Sequence, residues 1–205
     1  MIKKKIIIIG AGQNGKVVRN VLAKDHKIAV TGFLDDAKRG KEVLGKIRDF
    51  LKFKKRGYEF FISIGDNAVR SKVFLKLQKN GAKFVNAIHP LAYLEPSAKL
   101  GNNTMVGAFS YLNLNCSVGD NTFINNGCII EHDVKIGAHG HLAPGVVTAG
   151  RVVVGDKVFI GLGAILRDGI VVGDNVIICA GSNVVADIKS NSMYYGNPAK
   201  FIRNI

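Results

Sequence analysis

The sequence is poor in several residue types, and each shortage excludes a class of protein. In 205 residues it has no tryptophan, four prolines and three cysteines, Cys116, Cys128 and Cys179. The cysteines lack CxxC spacing, so they indicate neither a disulfide framework nor a zinc knuckle and suit a reducing, cytoplasmic location. The apolar run near the N-terminus, residues 6–9, is far shorter than the roughly 18 residues of a membrane span. We interpret it as a first β-strand rather than an export signal.

Acidic residues are scarce in the first half only. Residues 1–90 contain 21 Lys and Arg against 7 Asp and Glu, a net charge of +14, whereas residues 91–205 contain 8 of each. This asymmetry predicts two domains, 1–90 and 91–205, with different roles. The basic domain suggests an anionic partner such as a nucleotide, a nucleic acid or a membrane face, but a lysine-rich solvated surface explains the charge equally well.

The second domain repeats every six residues without interruption. All lead positions except Thr148 are Leu, Ile or Val, and no helical period fits them. The leads are Leu94, Leu100, Val106, Leu112, Val118, Ile124, Ile130, Ile136, Leu142, Thr148, Val154, Ile160, Leu166, Val172, Ile178 and Val184. Hexapeptide repeats are typical of a parallel β-helix. We expect three hexads per triangular coil, with each lead side chain pointing inward and stacking on its copy in the next coil.

Sorting the hexads by corner of the coil separates structural from chemical positions. The first corner begins with glycine in five coils, which we attribute to turns that need unusual backbone angles. These glycines are Gly101, Gly119, Gly137, Gly155 and Gly173. The second corner never begins with glycine, and in one coil it reads Glu131-His132-Asp133, a histidine between two carboxylates. A reactive site is therefore expected at the second corner.

The first domain alternates predicted strands and helices, which implies a parallel sheet with ligands at the carboxyl ends of the strands. The sequence GAGQNG at 10–15 follows the first strand, and the acidic pair Asp35 and Asp36 ends the second. The predicted strands are 5–9, 27–33, 58–64 and 84–87, and the predicted helices are 16–24 and one ending at Lys79. We expect a Rossmann-like half-domain.

The GxGxxG spacing fits a phosphate-binding turn at a helix N-terminus, with the acidic pair about 20 residues on placed for a ribose or base. Because about 90 residues make only half of a dinucleotide fold, a mononucleotide ligand fits better than NAD. The alternative is a vestigial sheet that only caps the open end of the β-helix.

These motifs together resemble bacterial nucleotide-sugar N-acetyltransferases of the sialic-acid O-acetyltransferase-like group. That group includes enzymes acting on UDP-4-amino-sugars and GDP-perosamine. The resemblance covers nearly the whole chain, and it is carried by the glycine turn, Leu34-Asp35-Asp36, Ser63-Ile64-Gly65-Asp66-Asn67, Glu131-His132-Asp133, His141 and Tyr195-Gly196-Asn197-Pro198-Ala199-Lys200. It implies a left-handed β-helix, a homotrimer with acetyl-CoA in the cleft between subunits, and a role in surface polysaccharide biosynthesis.

The resemblance also implies roles for individual residues. Sugar-nucleotide contacts fall on Gly12, Gln13, Asn14, Asp35, Asp36 and Gly65. Acyl-CoA contacts fall on His141, Leu162 and Ala180, and the catalytic base falls on His132. Relatives usually carry Gly-His where this chain has Gln13-Asn14, so the nucleotide and the sugar stay open.

The chemistry of acyl transfer to an amine needs a base near neutral pH and donors for the thioester oxygen. His132 suits the first task, with Glu131 or Asp133 holding its other ring nitrogen. The resemblance favours Asp133. A solvated turn histidine is the alternative. Gly150, one coil after His132, is a candidate N–H donor or only a corner glycine.

Four further positions of the β-helix are candidates, with less specific signals. Leu162 and Ala180 share the third corner, where a pantetheine arm could pass, although ordinary corner packing explains them as well. Asn125, also at the third corner, is a candidate contact for the substrate or for His132. His141 is expected to point outward from a face.

Competing classes fit less well. The separations of His26, His89, His132, His139 and His141 do not converge on one corner, so we expect no metal site. No second nucleotide half follows for NAD, and the basic domain lacks an aromatic platform for nucleic acid. We expect neither nucleic acid nor a membrane as partner. The sequence thus predicts acetyl-CoA-dependent N-acetylation of a nucleotide-linked amino-sugar. An O-acetyltransferase and a non-catalytic scaffold remain alternatives.

Overall fold

The computed structural model describes residues 3–205, which divide into two compact units, one ending at His89 and the other running from Pro90 to Ile205. No helix in the described part of the chain is long and apolar enough to cross a membrane.

The first unit is built on a parallel sheet of four strands in the order β3-β2-β1-β4. The elements are β1 (Lys4–Ile9), α1 (Gln13–Leu22), β2 (Ile28–Leu34), β3 (Val43–Gly45), a 3₁₀ turn (Ile47–Asp49), α2 (Phe50–Lys55), β4 (Glu59–Ile62), α3 (Asn67–Lys79) and β5 (Ala87–Ile88). The four consecutive isoleucines of β1 are fully buried. A continuous apolar run of this kind is expected of a central parallel strand that is covered on both faces.

Helix α1 begins inside the glycine motif. It starts at Gln13, with Gly12 as the N-cap, and ends at Leu22. The observed helix therefore begins three residues before the predicted one, which spanned 16–24, and ends two residues before it. The sequence also did not predict β3, the 3₁₀ turn or α2, which are short and gain their order from packing. The ring of Phe50 at the start of α2, for example, makes an edge contact with Phe60 of β4, with 6.0 Å between the ring centroids.

The second unit is a left-handed parallel β-helix whose short strands stack into three flat sheets. The first sheet contains β6 (Tyr93–Leu94), β9 (Tyr111–Leu112), β12 (Ile129–Ile130), β15 (Val147–Thr148), β18 (Ile165–Leu166) and β21 (Asn183–Val184). The second contains β7 (Lys99–Leu100), β10 (Ser117–Val118), β13 (Lys135–Ile136), β16 (Val153–Val154) and β19 (Val171–Val172). The third includes β8 (Met105–Val106), β11 (Phe123–Ile124), β14 (His141–Leu142), β17 (Phe159–Ile160), β20 (Val176–Ile178) and the terminal hairpin of β22 (Ser192–Gly196) and β23 (Ala199–Asn204).

The six-residue repeat positions the core as predicted. Each two-residue strand directs its second residue inward, and the lead aliphatics form one continuous hydrophobic cluster along the axis. Leu94 and Leu100, in the first coil, are only partly buried because they lie at its end. The predicted fold class, a Rossmann-like half-domain followed by a left-handed β-helix, is confirmed.

The first-corner glycines do not have the unusual backbone angles that the sequence analysis attributed to them, so that prediction is wrong. None of the five has a positive φ; the left-handed residue is the third of each corner, such as Asn103, Asn121 or His139, with φ between 58 and 63°. The glycines are required because the coils stack closely. A Cβ on Gly119 would lie 2.6 Å from the backbone nitrogen of Ala138 in the next coil.

Candidate active site

The glycine motif of the first unit supports a cavity at the carboxyl ends of the strands. Gly10 has a φ of +100°, and a Cβ on Gly15 would lie 2.2 Å from the carbonyl oxygen of Gly10. Gly15 thus lets α1 approach β1. Gly12 is different, because nothing lies within 4 Å of a Cβ built there. The protein itself does not require glycine at this position, which suits a backbone that a phosphate approaches closely.

Asp35 holds this turn in place. Its Oδ2 accepts a hydrogen bond from the backbone N–H of Ala11 at 2.8 Å, and its Oδ1 accepts from the N–H groups of Ala37 and Lys38, each at 2.8 Å. Partial burial raises the pKa of Asp35, but these three backbone donors outweigh it and the pKa is lowered. The carboxylate therefore ties the end of β2 to the glycine turn.

Five of the six residues predicted to contact the sugar nucleotide line one cavity of about 410 Å³. The lining residues are Gly10, Gly12, Gln13, Asn14, Asp35, Ser63, Ile64 and Gly65. Asp36 does not join them. It lines a second cavity with Lys46, Arg48 and Lys76, and its Oδ1 accepts the backbone N–H of Ile47 at 3.0 Å.

The side chains beneath this cavity include two that the sequence analysis did not assign. Ser63 donates its hydroxyl to the carbonyl oxygens of Ile9 and Gly10 at 3.0 and 2.9 Å. Arg70 is fully buried, and its guanidinium donates to the carbonyl oxygens of Ile64 and Gly65 at 3.0 and 3.1 Å. Burial lowers the pKa of Arg70 to about 10, so it is charged at neutral pH. The only sequence signal was its position four residues after the helix cap Asp66.

A basic cavity of about 330 Å³ shares Gly12 and Gln13 with the first. Its lining contains Lys16, Lys38, Arg39 and Lys41 against one carboxylate, Glu42, which is ion-paired with Arg19 at 2.5 Å. The excess of cations beside the N-terminus of α1 gives this edge of the sheet a positive field.

The second corner of the β-helix contains a histidine–carboxylate pair. Nδ1 of His132 lies 2.9 Å from Oδ2 of Asp133, and the two side chains are 44% and 49% exposed. Asp133 has a φ of 61°, and this left-handed turn brings two consecutive side chains together. Hydrogen bonds from His132 and Asn115 lower the pKa of Asp133. An ionised Asp133 accepts the Nδ1–H, so we assign the tautomer with an unprotonated Nε2.

Gly150 packs directly against this imidazole. A Cβ on Gly150 would lie 2.7 Å from both Cε1 and Nε2 of His132 and 3.2 Å from Oδ1 of Asp168. Any larger residue would therefore displace the ring. Among residues 3–205 the backbone N–H of Gly150 has no hydrogen-bond acceptor, whereas the equivalent N–H at Ala138 donates to Asp156 Oδ1 at 2.7 Å.

The remaining predicted residues of the β-helix lie on another face and corner. His141 is half-buried between the rings of Phe123 and Phe159, at centroid distances of 5.7 and 5.3 Å. Its Nε2 lies 3.2 Å from the amide Nδ2 of Asn125. Asn125 therefore contacts His141 and not His132.

Leu162 and Ala180 occupy the third corner in consecutive coils, where the backbone N–H of Gly181 donates to the carbonyl oxygen of Leu162 at 2.8 Å. Both are exposed, Leu162 to 57%. This edge presents apolar, unobstructed surface, but it is a different corner from that of His132. Within the second unit the predicted residues thus form two groups.

No group of three or more His, Cys, Asp or Glu among residues 3–205 is arranged to hold a metal ion. His139 is buried with its Nδ1 2.8 Å from Nδ2 of Asn121, as a structural corner residue.

Fold and side chains define a hexapeptide-repeat β-helix protein with a small Rossmann-like α/β unit before it. Residues 5–77 match the PglD N-terminal domain family, and residues 115–150 match the bacterial transferase hexapeptide repeats. The chain belongs to the family of bacterial nucleotide-sugar N-acetyltransferases with a hexapeptide β-helix, so the resemblance stated from the sequence is confirmed.

Two solved structures are similar over nearly the full length of both chains. One is a histidine-to-asparagine variant of perosamine N-acetyltransferase from Caulobacter crescentus in complex with CoA and GDP-perosamine, at 35% identity and a TM-score of 0.93, covering 98% of this chain and 97% of that one. The other is the acetyltransferase domain of PglB from Neisseria gonorrhoeae, at 29% identity and a TM-score of 0.94, covering 98% and 100%.

Curated relatives match over shorter stretches. UDP-N-acetylbacillosamine N-acetyltransferase of Bacillus subtilis is 30% identical over 112 residues, which is 51% of this chain and 52% of that protein. An uncharacterized mimivirus protein is 32% identical over 110 residues, 21% of its length. The chain thus spans about half or less of the length of these curated relatives.

Proposed function

We propose that the protein transfers the acetyl group of acetyl-CoA to the amino group of a nucleotide-linked amino-sugar. The single observation that carries the proposal is the exposed His132, paired with Asp133 at 2.9 Å and packed against Gly150. The relatives named above support these substrate classes. Two of them are named as N-acetyltransferases of amino-sugars, and the Caulobacter crescentus structure contains CoA and a nucleotide sugar.

In the proposed reaction His132 is the general base. The thioester of acetyl-CoA supplies the acetyl group. Asp133 holds the Nδ1–H, so the lone pair of Nε2 accepts the proton that the acceptor amine loses as its nitrogen bonds to the acetyl carbon. The carboxylate also stabilises the imidazolium that results. The C–S bond of the thioester then breaks, and the imidazolium gives this proton to the CoA sulfur, which leaves as the free thiol. Proton transfer of this kind typically contributes about 10²–10⁴-fold to the rate.

In this proposal Gly150 stabilises the negative charge that develops on the thioester oxygen. Its backbone N–H, which has no acceptor among the described residues, donates to the thioester oxygen as negative charge develops there. Because glycine has no side chain, the oxygen and the imidazole can both approach it. The residue would thus place the electrophile next to the base.

The cavity of Gly12, Gln13, Asn14, Asp35 and Gly65 is proposed to hold the nucleotide sugar, with the neighbouring cations attracting its phosphates. Leu162 and Ala180 are proposed to border the pantetheine arm, and His141 with Asn125 to contact CoA and substrate. Leu162 and Ala180 lie on a different corner from His132, which favours a homotrimer whose neighbouring copies complete each site. Exposed apolar side chains such as Ile129 and Ile165 are consistent with such packing.

A cytoplasmic location is part of the proposal. It is supported by the three cysteines, which are free thiols in the described chain, and by the need for acetyl-CoA and nucleotide sugars.

The test is thiol release from acetyl-CoA across UDP-, GDP- and dTDP-linked amino-sugars and the matching hydroxyl sugars. We expect release with an amine and none with the corresponding hydroxyl. His132→Ala should lower kcat about a thousandfold, while His26→Ala, an exposed turn histidine, should keep the wild-type rate. Release only with hydroxyl sugars would instead show an O-acetyltransferase. Silence across the panel, together with no thermal shift on adding CoA, would overturn the proposal.

A further inference from the structure

Asn115 lies one coil before Asp133 and is bonded to its side chain. The amide Nδ2 of Asn115 donates to Oδ1 of Asp133 at 3.1 Å. The other carboxylate oxygen, Oδ2, faces Nδ1 of His132 at 2.9 Å. Each oxygen thus has its own partner, one from the preceding coil and one from the same corner. Two partners on opposite oxygens restrict the rotation of the carboxylate about its Cβ–Cγ bond more than either partner does alone.

The backbone around Asn115 is held by hydrogen bonds to the coils on both sides. Its backbone N–H donates to the hydroxyl of Ser97 in the preceding coil at 3.0 Å. The N–H of Asp133 donates to the carbonyl oxygen of Leu114 at 2.9 Å. Asn115 has a φ of 59°, a left-handed conformation that asparagine tolerates better than most residues. The backbone that carries this exposed donor is therefore anchored to the neighbouring coils.

The chemical type of this donor also suits the site. On the following coil the cation Arg151 is ion-paired with Asp168. Because Arg151 is engaged by Asp168, the side chain that donates to Oδ1 of Asp133 is the neutral amide of Asn115. A neutral amide orients the carboxylate without cancelling its charge, whereas a lysine or arginine there would weaken the attraction of Asp133 for a protonated His132.

We propose that Asn115 is a positioning residue of the active site, which acts through Asp133 to keep the proton of His132 on Nδ1 and Nε2 free for the acceptor amine. This inference rests on the proposed function, in which His132 is the base. Outer hydrogen-bond partners of this kind commonly change activity by about 10–100-fold when removed, as they do around metal-bound histidines.

The first test uses Asn115→Gly, which removes the amide but keeps a residue that adopts positive φ. We expect kcat to fall about tenfold, with KM for both substrates changed less than about twofold. The matched control is Asn175→Gly. Asn175 has a φ of 53° and donates its Nδ2 to Asn191 of the next coil at 2.8 Å, at the first corner. It should keep wild-type kcat. Equal losses of kcat in the two variants would show that Asn115 has only a structural role at its corner, and this would contradict the proposal.

The second test uses Asn115→Asp and the pH profile of kcat/KM. The variant replaces a donor with a negative charge beside the dyad. The other charged groups nearby stay the same, namely Glu131 next in the chain and Arg151 and Asp168 on the following coil. Added negative charge favours the protonated imidazole, so the acid limb should move to higher pH, by roughly half a pH unit or more. A merely structural defect would lower the rate at every pH without moving the limb, and that result would contradict the proposal.

The third measurement separates this inference from the proposed function. Long-range ¹H–¹⁵N spectra of the imidazoles, with His132 assigned from the His132→Gln spectrum, report which ring nitrogen carries the proton. Wild type and Asn175→Gly should show the Nδ1–H form, and Asn115→Gly a mixture of both forms. An unchanged tautomer in Asn115→Gly overturns the inference. Because the spectrum needs no turnover, a wild-type enzyme that releases no thiol would overturn the function alone.

Discussion

At the scale of single residues, the reactive pair depends on one backbone conformation. Consecutive side chains on an extended strand point to opposite faces, so His132 and Asp133 would not meet there. The left-handed φ of 61° at Asp133 turns its carboxylate back to Nδ1 of His132. Non-glycine residues in this conformation cost free energy, of order 1–3 kcal/mol, which the stacked coils supply. The residues of the sequence left Glu131 and Asp133 as equal candidates for this contact, and the backbone angle at Asp133 decides between them.

The close packing of Gly150 on His132 gives a first prediction at this scale. Gly150→Ala adds a methyl group 2.7 Å from the imidazole, so the ring must move and kcat should fall about 100-fold. The control is Gly140→Ala, where the nearest atoms would lie at an ordinary 3.4 Å. Steady-state assays and melting temperatures of both variants check it. A fully active Gly150→Ala enzyme would remove Gly150 from the site.

Asp35 gives a prediction for pH. Burial raises the pKa of Asp35. The hydrogen bonds from the N–H groups of Ala11, Lys38 and Ala37 lower it by more than burial raises it, so the pKa lies below the ordinary value of 3.8. A depressed carboxylate pKa stabilises the fold above the unfolded-state value, and this stability is lost as the pH falls through the folded-state value. Asp35→Asn should therefore be less stable than wild type at pH 7, and the difference should shrink below about pH 4.

Urea unfolding of wild type and Asp35→Asn at pH 7, 5 and 3.5 measures this difference. Asp25→Asn is a suitable control, because Asp25 is exposed and accepts one local N–H, that of Lys27. A gap between wild type and Asp35→Asn that stays constant over the whole range would show that the charge of Asp35 does not stabilise the turn.

At the scale of elements, regular periods could be predicted and short packed elements could not. The six-residue period directs every lead side chain inward, so strand positions in the β-helix follow from the sequence. In contrast, α2 reads FLKFKK, and β3 has three residues. Neither shows a clear period, because each is ordered mainly by tertiary contacts such as that of Phe50 with Phe60.

The corner glycines give a prediction at this scale. Gly119→Ala would place a Cβ 2.6 Å from the backbone of Ala138, with ordinary φ, whereas Gly163→Ala would meet nothing within 4 Å but has a φ of +67°. Backbone cannot move aside as a side chain can. We therefore expect Gly119→Ala to lose about 3 kcal/mol or more of unfolding free energy, and Gly163→Ala about 1 kcal/mol. Chemical denaturation measures both. The reverse order would mean that backbone strain, not coil spacing, sets the need for glycine.

At the scale of the whole molecule, the net charge is confined to one unit. Residues 1–90 carry +14 and residues 91–205 carry zero. A positive field raises the association rate of anionic substrates and is screened by salt over about 10 Å at 0.1 M ionic strength. Both proposed substrates are polyanions, but only the nucleotide sugar is assigned to the basic unit.

The charge asymmetry therefore predicts a difference in salt dependence. Between about 20 and about 300 mM NaCl, KM for the nucleotide sugar should rise severalfold, while KM for acetyl-CoA should change much less. Substituting the cavity residues Lys16 and Arg39 with Gln should flatten the first dependence only. Equal salt effects on the two KM values would show that the basic surface does not serve nucleotide-sugar binding.

The sequence by itself determined the architecture of the second unit, because the six-residue period indicates which side chains are buried together. The repeat requires a β-helix, and GAGQNG between a strand and a helix requires a turn at the sheet edge. The tertiary structure decided which of the candidate residues meet. It brings Gly12 and Gly65 to one cavity, leaves Asp36 at another, and pairs Asn125 with His141. Such contacts join residues far apart in the chain, and their distances are set by coil stacking and backbone angle, which no local pattern encodes.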